Sequence, residues 1–471
     1  MDVTKAYDKA WLDGIMYVLH KEGVQNRLWL LVKKLNSNLK TTIMTKHGPT
    51  DEIEITDSIR QGGVLAVTMY AVLIDEINKE IAKTNYGIDI PNIDLIIACL
   101  EWVDDVVLAE LKAEFMQILL HITNHISQKY HIEFGMIKTK CLETVGIREK
   151  FDLKLGDKDL EKCLIYTYLG LILNHRMNLK DQILTMTGKV EAAYQNLMAV
   201  MEDNDFKEVK MEGVWLLVKL CIVPIITYSS EVWEPTKAEM KKLNQMLDKI
   251  IKRILMTPEA TPREALYIET GLLDIETIID KKRLSMMARL NRDKSDMMTN
   301  ILDNPDCKWL KKNKTVMEKY EITDADLQGT EWSTKKTIRE KVNIKFRNTF
   351  TTQNENKSKL SYYLNGKGDW KPEQTPEYMN ILTRKQTSII FKARTRMTKV
   401  KGNYKNGHRN LQCRKCIINT ETHTHCLEEC TGLHPDNDTK ITTEVLFSDT
   451  TESLKNSAKT IEKIIEFLEN C

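Results

Sequence analysis

Apolar and polar positions alternate differently along the two halves of the chain. In the first 175 residues, short apolar runs alternate with helical repeats, an α+β texture. "LIIACL" (Leu95–Leu100) and "VVLAEL" (Val106–Leu111) read as buried strands, rich in Ile, Val and Leu. Between them lie two adjacent acids, Asp104 and Asp105, within "LEWVDDVVL". Such a turn is either a solvated hairpin tip or a place where a cation sits. "LAVTMYAVLIDEINKEIAK" (Leu65–Lys83) gathers Tyr70, Leu73, Ile74, Ile77 and Ile81 on one helical face. "AEFMQILLHITNHISQKY" does the same with Phe115, Ile118, Leu119, Ile122 and Ile126.

From about residue 181 to 300 helix dominates. "EMKKLNQMLDKIIKRIL" carries Leu243, Met246, Ile250 and Ile254 at helical spacing. "TPEATPREAL" then breaks the pattern and opens a helix near Pro262. Residues 300–380 are polar, with helical pieces and no clear motif. The last amphipathic segment is "TIEKIIEFLENC". There is no internal repeat.

Composition sharpens this picture in a few places. With 471 residues, 42% hydrophobic and 29% charged, the chain has room for about two to four domains with a sizeable core. Only 10 Pro and 19 Gly favour long helices. The net charge of +2 makes any basic footprint a local matter. The strongest apolar run, "WLLVKLCIVPIITY" (Trp215–Tyr228), is too short for a bilayer and holds Lys219 and Pro224. No signal peptide is evident, so the expected location is the nucleus and cytoplasm, with no membrane partner. Most of the ten cysteines are scattered, which suits a reducing compartment.

Four cysteines cluster between Cys413 and Cys430. Cys413, Cys416, His425 and Cys430 give the spacing Cys-x2-Cys-x8-His-x4-Cys, which suits a tetrahedral Zn²⁺ site. His423 and Cys426 are alternative ligands. Just before it, eleven Lys or Arg and no acid lie between Arg384 and Cys416. Lys392, Arg394, Arg396, Lys399 and Lys401 are expected there to contact nucleic-acid phosphates, a solvated surface being the plainer alternative.

Five further pieces occur in order: "DVTKAYD" at residue 2, "SIRQGGVL" at Ser58–Leu65, "WVDD", "GMIKTK" at Gly135–Lys140 and "YTYLGLIL" at Tyr166–Leu173. Together they resemble the palm of reverse transcriptases from non-LTR (LINE-type) retrotransposons over roughly residues 1–270. The C-terminal cysteine cluster is similar to the CCHC segment of the same elements. The resemblance implies an α+β fold: a reverse-transcriptase palm (antiparallel sheet with helices) over 1–175, then a helical thumb and connection over 176–300. A polar, basic helical region over 301–410, a zinc knuckle over 411–432 and a linker with terminal helix over 433–471 complete it. The implied partners are an RNA template, a DNA primer or target and deoxynucleoside triphosphates.

Residue by residue, the resemblance makes Asp2, Asp104 and Asp105 catalytic carboxylates for two Mg²⁺ ions, with the Val3 carbonyl a further ligand. Tyr7 would select deoxynucleotides by excluding a 2′-hydroxyl. Arg60, Gln61 and Gly62 would lie against the nascent base pair. Lys138 or Lys140 would stand near the pyrophosphate as general acid. Tyr168, Leu169 and Gly170 would grip the primer terminus. Asp8 reads as a helix cap, and Trp233 and Tyr228 as core. The chain departs from the pattern at Ala66 and Val67, where Ser-Pro is usual, and at Glu101, usually apolar. The fingers and an upstream endonuclease are expected to be missing, making the chain a truncated copy with little activity. A nucleic-acid-binding remnant without catalysis is the other expectation.

Overall fold

The computed structural model describes residues 1–55, 58–60, 62–145, 151–202, 210–292, 296–352, 358–403, 410–436, 439–448 and 450–470. The chain divides into two compact units. The first comprises Met1–Asn178 together with Thr299–Asp306, the second Leu179–Met298 and Cys307–Cys471.

In the first unit the periodicity at Leu65–Lys83 becomes the helix Ala66–Ile81, which buries Tyr70, Leu73, Ile74, Ile77 and Ile81 as expected. Glu76 is buried on the same face. Its carboxylate is satisfied by the Lys21 ammonium at 2.9 Å and the Tyr130 hydroxyl at 2.9 Å. The helix Ala113–Lys129 departs from its pattern: Leu119, Leu120, Thr123, Ile126 and Ser127 are buried, while Phe115, Ile118 and Ile122 are half-buried. Thr123 donates to the Leu119 carbonyl at 2.8 Å and Ser127 to that of Asn124 at 2.9 Å. Hydroxyls satisfied within their own helix can face the core at little cost. Asp8 is exposed, and Trp11, not Asp8, precedes the first helix, Leu12–Lys21.

Strands pair only two by two, in seven ladders among the described residues. Six are antiparallel, and Lys140–Leu142 with Glu161–Cys163 is parallel. The expected antiparallel sheet is thus broken into small pieces. Single bridges, Asp2 to Asp105 and Val3 to Phe134, take the place of a longer ladder at the start of the chain. Pairing stops there because Lys5 turns into the left-handed region, φ 52°.

The second unit is helical among its described residues apart from an isolated bridge between Gln412 and Thr420. Thr236 caps the helix Lys237–Ile254 through a capping box with Glu239. That helix buries Leu243, Leu247, Ile250, Ile251 and Ile254, so Leu247 takes the place expected for Met246. Pro262 precedes the helix Arg263–Thr270, as its sequence foretells. Trp233 is core, but Tyr228 is not: it is 47% exposed.

The apolar run from Trp215 does not form one regular helix. A helix Met211–Leu217 passes through a π turn, Val218–Ile222, into Val223–Ile226. Pro224 cannot donate to a carbonyl four residues back, and the wider turn absorbs that loss. Among the described residues no helix is long and apolar enough to cross a membrane.

Candidate active site and metal centre

The hairpin Cys99–Trp102 and Asp105–Leu108 pairs Trp102 with Asp105 and Glu101 with Val106. Only Val103 and Asp104 remain for the turn. Val103 has φ 60°, a conformation glycine normally supplies at the first position of a type II′ hairpin. A β-branched residue held there stores about 1–3 kcal/mol of strain. The strained tip presents Asp104, and Val106 beneath it is fully buried and anchors the strand.

Three carboxylates converge on this tip. Asp2 faces Asp105 across the single bridge, and the Val3 amide donates to the Asp104 carbonyl at 3.3 Å. The Gly135 amide donates to the Asp2 carbonyl at 2.9 Å. Burial raises the Asp105 carboxyl above its usual range, and the neighbouring Asp104 and Asp2 charges add to it. Tyr7 and Tyr70 are raised by burial and then by Asp104. Tyr166 and Tyr168 are raised by burial and then by Asp105. All four rings therefore stand in one negative field. Carboxylate oxygens are the donor type that fits a hard cation such as Mg²⁺. Among the described residues the gathered group of potential metal ligands is the cysteine cluster below, and the three aspartates do not form one.

Of the two candidate lysines, Lys138 reaches the carboxylates: its ammonium lies 3.1 Å from Asp2. Lys140 pairs instead with Glu161 at 2.7 Å. The Tyr166 hydroxyl donates to the Lys138 carbonyl at 3.0 Å and steadies that segment. Sequence reasoning passed over Tyr166, although the alternation in "YTYLG" puts it on the same face as Tyr168. Leu169 and Gly170, φ 46° and 78°, make a two-residue turn between Ile165–Tyr168 and Leu171–Asn174. Tyr7 is half-buried, 5.7 Å from the Tyr70 ring, and its carbonyl accepts from the Ile59 amide at 3.0 Å. That bond brings the loop with exposed Arg60 and Gly62 (φ 81°) beside Tyr7. Gln61 lies outside the described residues.

Residues 1–173 match the family model described as reverse transcriptase (RNA-dependent DNA polymerase). This stretch is a reverse transcriptase domain. No curated protein matches the chain. The converging aspartates lie within the matched residues of the reverse transcriptase domain, whereas the cysteine cluster lies beyond them.

In the second unit Cys413, Cys416, His425 and Cys430 bring their ligand atoms within 4.8 Å of one another. The Cys413 and Cys430 sulfurs are 3.8 Å apart, and Cys416 Sγ is 3.3 Å from His425 Nε2. Zinc–sulfur bonds of about 2.3 Å place tetrahedral sulfurs about 3.8 Å apart, so the donors fit Zn²⁺. Backbone amides of Asn419 and Ile418 lower the Cys416 thiol to about 6. The alternatives face elsewhere: His423 bonds Thr398 at 2.9 Å, and Cys426 is buried outside the set.

The basic stretch before the cluster is largely consumed inside the unit. Arg394, expected to meet phosphate, is 1% exposed and pairs with the buried Glu269 at 3.0 Å. Arg396 stacks 3.8 Å over the Tyr362 ring. Lys399 pairs with Glu469 at 2.7 Å, and Lys401 donates to the Gln412 carbonyl at 3.0 Å. Lys392 is half-buried, and burial lowers its ammonium below the usual range. A buried cation needs an internal anion, and sequence alone shows neither the burial nor Glu269.

Proposed function

We propose that the first unit catalyses template-directed addition of deoxynucleotides to a primer, as the palm of a LINE-type, non-LTR retrotransposon reverse transcriptase. The observation that carries this is the meeting of Asp2 with the Asp104–Asp105 turn inside a reverse transcriptase domain. Asp2, Asp104 and Asp105, with the Val3 carbonyl, would hold two Mg²⁺ ions. When bound, these would lower the pKa of the primer hydroxyl and offset charge on the attacking and leaving oxygens.

The chain's own residues do the rest. Lys138, beside Asp2, hands a proton to the departing pyrophosphate. Tyr7, with Tyr70 behind it, walls off the space beside the sugar and rejects a 2′-hydroxyl. Arg60, Gln61 and Gly62 bear on the new base pair, where glycine permits close approach. Tyr168, Leu169 and Gly170 hold the primer end. In the second unit, the Cys413, Cys416, His425 and Cys430 set holds one structural Zn²⁺.

Primer extension on an RNA template with Mg²⁺ tests the reading. Asp104→Asn should lower the rate by at least about a thousandfold while template binding stays within twofold, since positioning and charge supply most of the catalysis. Extension that survives Asp104→Asn overturns it. Binding without extension in the parent chain would favour a nucleic-acid-binding protein whose palm is scaffold.

A further inference from the structure

The second unit has a strongly cationic surface away from the basic stretch. Helices Ile275–Arg292 and Glu331–Thr352 lie side by side and bound an open cleft of about 690 Å³. Lys219 enters it from the π turn Val218–Ile222. Burial lowers its ammonium below the usual range, Glu373 opposes this, and Arg339 and Lys281 add to it. Glu373 is already held by Lys281 at 3.1 Å, Arg339 at 2.5 Å and Asn343 at 3.1 Å. Arg289 and Arg292 have no carboxylate within ion-pair distance among the described residues, and both are exposed, whereas Lys335 forms a surface pair with Glu331 of its own helix, which a phosphate would have to replace. The cleft runs on, through shared Lys335 and Arg339, into a second of about 840 Å³. Trp332 lines that second part at 73% exposure, with Lys336 5.4 Å over its ring. The spacing Trp332, Lys335, Lys336, Arg339 puts aromatic and cations on one helical face.

We propose that this double cleft binds single-stranded nucleic acid. Arg289, Arg292, Lys335 and Arg339 meet successive phosphates, Lys219 reaches one at the floor, and a base stacks on Trp332. A cationic track beside an exposed aromatic face is what an unpaired strand requires. A duplex keeps its base faces stacked and offers Trp332 nothing. The inference rests on none of the aspartates, so a chain that fails to polymerise can still satisfy it.

The test is fluorescence anisotropy of a labelled oligonucleotide of about 12 nucleotides with the whole chain, in chelator and across a salt series. Joint Arg289→Gln, Arg292→Gln and Lys335→Gln should weaken binding tenfold or more. It should also flatten the slope of log affinity against log salt by about 2, because three phosphate contacts release fewer counterions. Trp332→Ala should cost on the order of tenfold with the slope unchanged. These differences report only the altered residues, so strands held by the first unit do not obscure them. An unchanged slope in the triple variant, or equal competition by poly-glutamate or duplex, overturns the proposal. Cross-linking of a thiouridine strand to the unaltered chain gives a second reading that needs no variant. Cross-links should fall on peptides of the two helices, and cross-links confined to residues 1–178 overturn it.

Discussion

Glu101 shows what a single residue's environment adds to its letter. The sequence places an acid in an apolar strand and gives no reason for it. In the hairpin, Cys99 and Glu101 lie on the covered face while Leu100 and Trp102 point to solvent. Burial first, and then the Asp75 charge, raise the Glu101 carboxyl to about 7, while Cys99, the Asn78 backbone and Lys79 oppose the rise. Below about pH 4.5, folded and unfolded carboxyls are both protonated. Between there and about 7 only the folded one keeps its proton, so stability falls as pH rises through that window. Glu101→Gln should match the parent near about pH 4 and exceed it by roughly 1–3 kcal/mol at pH 8 in urea unfolding. A gap that does not widen with pH would contradict this environment. The meeting of Asp2 with the Asp104–Asp105 turn was legible in the order and spacing of the two motifs. Val103's strain and Glu101's burial depend on which face the hairpin covers, which no short motif records.

At the scale of an element, the segment Arg384–Arg394 was misread for an instructive reason. It opens a stretch, Arg384 to Cys416, in which eleven like charges without an acid suggest a phosphate track. The helix instead buries Ser388, Ile389, Ile390, Phe391, Ala393 and Arg394. Arg394 lies 4.5 Å over the Tyr378 ring, and its partner Glu269 also accepts from the hydroxyls of Tyr363 and Tyr378. Glu269 stays ionised: Lys367 and Arg394 hold its pKa below the usual range against the cost of burial. Arg394→Met would strand that carboxylate and should cost about 3–5 kcal/mol of unfolding free energy. Lys399→Met removes an exposed pair with Glu469 and should cost no more than about 1 kcal/mol. Equal, small losses in urea unfolding would return Arg394 to the surface. Helical periodicity, by contrast, was legible wherever one face is apolar, as at Ala66–Ile81 and Lys237–Ile254. Charge on a helix does not say what lies across from it.

For the whole molecule, contacts distant in sequence decide what composition could not. Thr299–Asp306 returns to the first unit, where Asn304 donates to the Pro91 carbonyl at 3.0 Å and Asn92 to Asp306 at 2.7 Å. No motif marks that return. The cysteine set likewise gathers more chain than its own loop. Arg414, between Cys413 and Cys416, pairs with fully buried Glu421 and donates to the Leu468 carbonyl on the last helix. If one Zn²⁺ closes this set, its binding free energy becomes folding free energy for everything tied to the loop. Purified chain should then carry about one Zn²⁺, and Cys416→Ser should abolish it. Cys426→Ser should leave zinc content unchanged, because Cys426 stands outside the set. Chelation should lower the melting temperature of the parent and of Cys426→Ser, and leave Cys416→Ser where it already is. Zinc that survives Cys416→Ser but leaves with Cys426→Ser would reassign the ligands, and metal-free protein that melts normally would remove the zinc altogether.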